Sequence, residues 1–162
     1  MKQKKVSDSL TVMSQLMMPT DANNVGVVHG GNILRLVDQT AAVCAMRHSG
    51  KTCVTASIDR VHFIEPIHLG ELLTLHASVN YVGKTSMEIG VRVEAENIKT
   101  GKIRHTNSCH VTMVAIGPNK KPTTIPKLIC VTAEQKRRCK EAEARRKEKL
   151  QTLKVFKKDM KQ

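Results

Sequence analysis

The stretch HGGNILRLVDQTAAVCAM, residues 29–46, decides the fold. Ile33, Val37, Ala41 and Cys44 recur at helical spacing, and Leu34, Ala42, Ala45 and Met46 widen that stripe until little polar surface is left. The spacing predicts a helix over 32–48, buried nearly all round and closed by Ser49-Gly50. A helix of that kind must pack against other elements. Asp38 stands in its middle, one turn from Leu34 and one turn from Ala42. A carboxylate in such a setting requires a partner or a purpose.

The surrounding chain reads as strands. In LTLHASVNY, Leu73, Leu75, Ala77, Val79 and Tyr81 share a face opposite Thr74, His76, Ser78 and Asn80. TSMEIGVRVEAE and NSCHVTMVA alternate in the same way, with Gly83-Lys84 and Thr100-Gly101 as the turns between runs. This predicts an antiparallel meander with one wet face. In CVTASIDRVHFI the apolar phase set by Val54, Ala56 and Ile58 slips before Val61 and Phe63, which places a β-bulge at Asp59-Arg60. Such a bulge either re-aims side chains beside a site or only bends the sheet. Ahead of the helix, SLTVMSQLMMP reads as a short strand ended by Pro19, and a loop from Thr20 to Val28 leads into Gly30-Gly31. One long helix against one antiparallel sheet is an α+β architecture.

With 162 residues there is one domain, read as 8–128, with residues 1–7 as an N-terminal extension and 129–162 as a basic, helix-prone tail. The net charge is +13, and residues 133–162 hold 12 Lys+Arg against 5 Asp+Glu. The tail is expected to be a solvated extension. A basic chain suits an anionic ligand, but one Tyr, two Phe and no Trp leave out the stacking platforms of single-strand binders, so no nucleic-acid partner is expected. No apolar run is long enough for a membrane span, and the charged start lacks the apolar core of a secretory signal. Five widely spaced cysteines without a CxxC pair point to reduced thiols in a cytoplasmic setting. His62, His68 and His76 fit no metal-site spacing, so no metal is expected.

Three segments carry a family likeness. DANNVGVVHGGNILRLVDQTAA, DRVHFIEPIHLGE and VGKTSMEIGVRVEAEN together resemble the hotdog-fold acyl-CoA thioesterases, the cytosolic acyl-CoA hydrolases among them, over about residues 8–128. The specific part is the combination of HGG, an Asp seven residues after the second Gly, and a downstream P-x-x-x-G-E. The resemblance implies a long antiparallel sheet wrapped around one central helix. It implies protomers paired edge to edge, a homodimer at minimum and a hexamer as a trimer of dimers. It implies an acyl-CoA substrate and no cofactor, coenzyme A being part of substrate and product. It makes Asp38 the catalytic carboxylate. Asn23, preferred over the adjacent Asn24, holds water or the thioester opposite the Asp of the neighbouring protomer.

The chemistry agrees with that assignment. A thioester is electrophilic and its thiolate leaves readily, since a thiol titrates at about 8.5. The need is for an activated water or a directly attacking carboxylate, and Asp38 can serve as general base or as nucleophile. Gly30 and Gly31, at the helix N-terminus, offer unpaired N–H groups and a positive dipole end to an oxyanion. His29 either orients water or bonds the backbone. Arg60 and the Lys84-Thr85-Ser86 turn are candidate contacts for coenzyme A phosphates. By family analogy the pantetheine arm runs beside Val54, Ala56 and Ile58. The alternative is an acyl-CoA-binding or regulatory module without hydrolysis, which has no need of a carboxylate at position 38.

Overall fold

The computed structural model describes residues 3–59 and 61–159, with side chains as far as Thr152. The central helix, α1, runs Gly30–Ser49. Gly50 ends it at φ 67°, in the left-handed region that favours glycine, and its N–H donates to Met46 O at 2.8 Å. Ile33, Leu36, Val37, Ala41, Cys44 and Ala45 are buried. Burial of each larger apolar side chain contributes ~1.5–3 kcal/mol, so packing rather than helix propensity holds α1.

Among the described residues the sheet around it has five strands, β2 (Thr11–Leu16), β3 (Thr52–Asp59), β4 (Leu72–Val82), β5 (Ser86–Asn97) and β6 (Lys102–Ile116). Their order is β2-β4-β5-β6-β3, and every pairing is antiparallel. The meander β4-β5-β6 forms the middle, with Leu73, Leu75, Ala77, Val79, Met87, Ile89, Val91, Val93, Val111 and Met113 buried toward the helix. The strands that flank α1 in the chain lie at opposite edges, and α1 touches all five strands. This is the expected α+β arrangement of one sheet curled around one helix. A parallel pair, β1 (Gln3–Lys5) with β7 (Lys127–Ile129), joins the two ends of the domain.

Three local expectations are corrected. First, α1 is wrapped on one side only: Arg35, Gln39 and Arg47 are exposed, and Leu34, Asp38 and Ala42 are half-buried. Among the described residues nothing covers the face between the two sheet edges. Second, the bulge lies at Ala56, not at Asp59-Arg60, because Thr55 pairs with Met113 and Ser57 with Thr112. The strand ends at Asp59, so His62 and Phe63 lie in a loop; Arg60 is outside the described residues. The apolar pattern misleads here because β3 is an edge strand. It turns the polar Thr55 inward and leaves Val54 48% exposed.

Third, the tail forms a helix, α2 (Ala133–Asp159), that packs on the outer face of the sheet. Thr132 and Gln135 form its N-terminal box, with Gln135 N–H donating to Thr132 Oγ1 at 3.1 Å and Val131 N–H to Gln135 Oε1 at 2.8 Å. Ala142 is fully buried. Arg145 pairs with Glu88 at 2.7 Å, and Arg146 Nη1 donates to Ser86 Oγ at 2.8 Å. The face expected to be wet is therefore covered, and Ser78, Asn80, Ser86 and Glu88 are buried there. Asn80 lies across Gly90, where an added Cβ would meet its Nδ2 at 2.5 Å, so any side chain at position 90 must displace the Asn80 amide.

Candidate active site

The half-open face of α1 presents Asp38 to β3. Thr55 donates its hydroxyl to Asp38 Oδ1, and the same hydroxyl lies 3.4 Å from Met113 Sδ. Asp38 Oδ2 has no hydrogen bond among the described residues. The bulge at Ala56 makes this contact possible. Cys53 and Thr55 face the helix before it, Ile58 faces inward after it, and Ser57 and Asp59 turn outward. Asp38 thus has a fixed orientation without a cation to neutralise it among the described residues.

The helix tip is a second cluster. His29 caps α1 by accepting the Gly31 N–H on Nδ1 at 3.0 Å. The Gly31 donor is thereby occupied, whereas the Gly30 N–H has no partner among the described residues. The loop before it is tied down at several points. His29 N–H donates to Asp21 O at 2.8 Å, Val28 N–H to Ile67 O at 2.9 Å, and Asn32 Nδ2 to Asp21 Oδ1 at 3.3 Å. Asn23 Oδ1 accepts the Val25 and Val27 N–H groups at 3.0 and 3.2 Å, the role of a turn residue, and its Nδ2 is left to donate elsewhere. Asn24 is exposed. Beside Gly30, a groove of about 260 Å³ is lined by Val28, Ile33, Phe63, Ile64 and Pro66.

The P-x-x-x-G-E motif, Pro66 to Glu71, supports this loop from below. Glu71 accepts the His68 N–H at 2.8 Å and binds Arg104 Nη2 through both oxygens at 2.6 and 2.7 Å. The candidate phosphate turn lies elsewhere, on the outer face. Lys84 is exposed, Thr85 is half-buried, and Ser86 is committed to Arg146. Val54 and Ala56 are exposed and Ile58 half-buried along the β3 edge. Within one chain, then, three groups stand apart: Asp38 with Thr55, the helix tip with Asn23, and the Lys84 turn.

Sequence reasoning did not pick out Thr55, Asp21, Asn32 or Arg104. The available signal for Thr55 was its inward phase with Cys53. Among the described residues, no three His, Cys, Asp or Glu side chains come close enough together to hold a metal ion. No helix among them is long and apolar enough to cross a membrane.

A curled sheet around a helix that carries a carboxylate toward an open edge strand is the arrangement of a hotdog thioesterase. Residues 25–102 match the thioesterase superfamily. The chain is 53% identical to the VdlD protein of Helicobacter pylori over 116 residues, 72% of this chain and 66% of that protein's length. An apo-hexameric acyl-CoA thioesterase of solved structure superposes with a TM-score of 0.90 at 36% identity, covering 94% of this chain and 98% of that one. The Staphylococcus aureus acyl-CoA hydrolase, solved with butyryl coenzyme A, coenzyme A and coenzyme A disulfide, gives 0.80 at 30% identity, over 95% and 98% of the two chains. That enzyme has also been solved with an aspartate, an asparagine or a threonine replaced by alanine. The chain belongs to the hotdog-fold acyl-CoA thioesterases of the thioesterase superfamily.

Proposed function

We propose that this chain hydrolyses acyl-CoA thioesters to a free acid and coenzyme A, with Asp38 as the reacting carboxylate. The observation that carries the reading is the Thr55–Asp38 hydrogen bond at an open edge strand. It fixes one carboxylate oxygen and leaves the other for a water. The positions altered in the Staphylococcus aureus variants fall at the same intervals along that chain as Asn23, Asp38 and Thr55 along this one. Asp38 Oδ2 takes a proton from water as the hydroxyl oxygen attacks the thioester carbon. The tetrahedral oxyanion then expels the thiolate of coenzyme A, which needs no general acid because its conjugate acid is near 8.5.

The oxyanion donor cannot come from the same helix. Gly30 and Asp38 are eight residues apart, or about 12 Å of helix rise, too far to engage one carbonyl together. The complete site therefore takes Asp38 and Thr55 from one protomer and the Gly30 N–H with Asn23 from its partner. The free edge of β3, with Val54 exposed, is the natural place for that pairing. A homodimer is the minimum active unit, with two equivalent sites, and a hexamer is its higher assembly. The groove beside Gly30 suits the acyl group, and the pantetheine arm follows β3 toward Lys84 and Thr85. The reaction draws on water and no cofactor. Its compartment is the cytoplasm, where five free thiols stay reduced.

The test is thiol release from a panel of acyl-CoA esters by the native chain and by Asp38→Asn. Asparagine keeps the shape and the acceptor for Thr55 but loses the charge. The variant keeps its circular dichroism and oligomeric mass and loses at least about 100-fold in kcat. Undiminished turnover removes Asp38 from the reaction.

A further inference from the structure

The outward side of the Ala56 bulge is held by one side chain of the tail helix. Lys149 Nζ donates to Ser57 Oγ, to Asp59 Oδ1 and Oδ2 at 2.8 and 3.1 Å, and to Thr112 Oγ1 at 3.0 Å. Ser57 and Thr112 are the first pair after the bulge, so the ammonium bridges β3 and β6 where the register has shifted. Lys149 is 30% and Asp59 33% exposed. Both charges are thus partly withdrawn from water, and the lysine's three N–H donors all have oxygen partners close by.

The bulge decides where Thr55 points. In a strand, successive side chains alternate faces, and moving the extra residue by one position sends Thr55 to the outer face, away from Asp38. Among the described residues of one protomer the ladder with β6 is the one pairing β3 makes, so until the proposed partner docks on its other edge that ladder and whatever lies behind it keep the irregular register. We propose that Lys149 is a positioning residue for the Asp38 site: by pinning Ser57, Asp59 and Thr112 it locks the bulge that turns the Thr55 hydroxyl onto the carboxylate. The basic tail then has a purpose in the same reaction, as a brace across the back of the site-bearing strand. The catalytic part of this inference rests on the proposed hydrolysis at Asp38; the structural part does not.

The experiment is a double-mutant cycle on the full chain with Lys149→Met, Lys149→Arg, Thr55→Val and the Lys149→Met/Thr55→Val pair. Lys149→Met keeps the aliphatic stem and removes the ammonium. It lowers kcat about tenfold, the scale of a small misplacement of a reacting group, with KM within about twofold. Lys149→Arg recovers most of that loss. In the Thr55→Val background Lys149→Met has no further effect on kcat, because the hydroxyl it positions is gone. A loss that multiplies with that of Thr55→Val, or no loss at all, overturns the inference. Should Lys149→Met fail to fold by circular dichroism, Thr112→Val takes its place in the cycle. Hydrogen exchange at the amides of residues 55–58 gives a readout independent of turnover. It rises in Lys149→Met, and unchanged exchange overturns the inference even in a chain that releases no thiol, an outcome that would separately sink the proposed hydrolysis.

Discussion

Replacing Thr55 by valine tests the site at its narrowest point. The two side chains have nearly the same volume, and valine is at least as favourable in a strand, so the change removes one hydroxyl and little else. That hydroxyl donates to Asp38 Oδ1 and has Met113 Sδ as its only other partner among the described residues. A hydrogen bond to a charged acceptor contributes about 1.5–3 kcal/mol. Thr55 is exposed and Asp38 half-buried, which places the loss at the lower end of that range. At about 1.4 kcal/mol per factor of ten, the expected cost is roughly tenfold in kcat. KM should change little, because the hydroxyl orients the carboxylate and does not face the bulk of the substrate. The assay is steady-state thiol release from a saturating acyl-CoA, with thermal unfolding measured in parallel. The melting temperature falls by a few degrees at most, since no cavity forms and water can replace the lost donor at the half-buried carboxylate. A kcat within twofold of native, at an unchanged melting temperature, would show that Thr55 does not orient Asp38. It would also deprive the Ala56 bulge of its role in the site.

Two further perturbations probe the scaffold. Glu71→Ala leaves Arg104, 17% exposed, without its two-oxygen partner and frees the His68 N–H, so it should cost about 3 kcal/mol in urea unfolding; a change below about 1 kcal/mol refutes a supporting role for the P-x-x-x-G-E turn. His48 is fully buried, its Nε2 lies 3.0 Å from Pro126 O, and its Nδ1 has no partner among the described residues. Burial holds its pKa below the ordinary 6.5. The unfolded chain therefore binds this proton first, so stability is complete above about pH 6.5 and declines as pH falls through that value toward the folded-state pKa. His48→Gln should flatten the decline of the urea midpoint between pH 8 and pH 5, and parallel slopes for variant and native chain would exclude His48 as its source.

The parts of the fold that were legible are those that bury a purely apolar face. α1 and the meander β4-β5-β6 each carry one apolar stripe or alternate set toward the core, so their periods appear directly in the residue order. Gly50 marks the helix end because only its left-handed φ is at stake there. β3 was misread because an edge strand obeys weaker rules. Val54 faces out, Thr55 faces in, and the extra residue Ala56 carries too small a side chain to signal its position. Asp38 was conspicuous as a charge in an apolar run, but its partner was a threonine whose hydroxyl looks ordinary in a strand. Asn23 illustrates the opposite limit. A turn asparagine and a substrate-holding asparagine share one sequence signature, and the structure commits its Oδ1 to the turn while leaving Nδ2 unassigned.

The tail shows why a charged helix can be a packed one. Ala142, Arg145, Arg146 and Lys149 fall at i, i+3, i+4 and i+7, the spacing of a single helical face. An apolar stripe at that spacing reads at once as a docking surface; three cations at the same positions read as solvated. What converts them is the opposing sheet face, where Asp59, Ser86, Glu88 and Thr112 occupy outward positions on three adjacent strands. Each surface alone has the composition of an exterior. Together they satisfy one another, as the Arg145–Glu88 pair, the Arg146–Ser86 bond and the Lys149 cluster show. Arg146 also lies over the Tyr81 ring, 5.6 Å from its centre, and closes the contact against the chain's one tyrosine. Complementarity of this kind involves two distant segments and no local period, so it becomes visible only when the strands are laid side by side. The reach of Lys149 is informative too: α2 lies closest to β4, beside β2, yet this one side chain extends across to β3, the strand that faces Asp38.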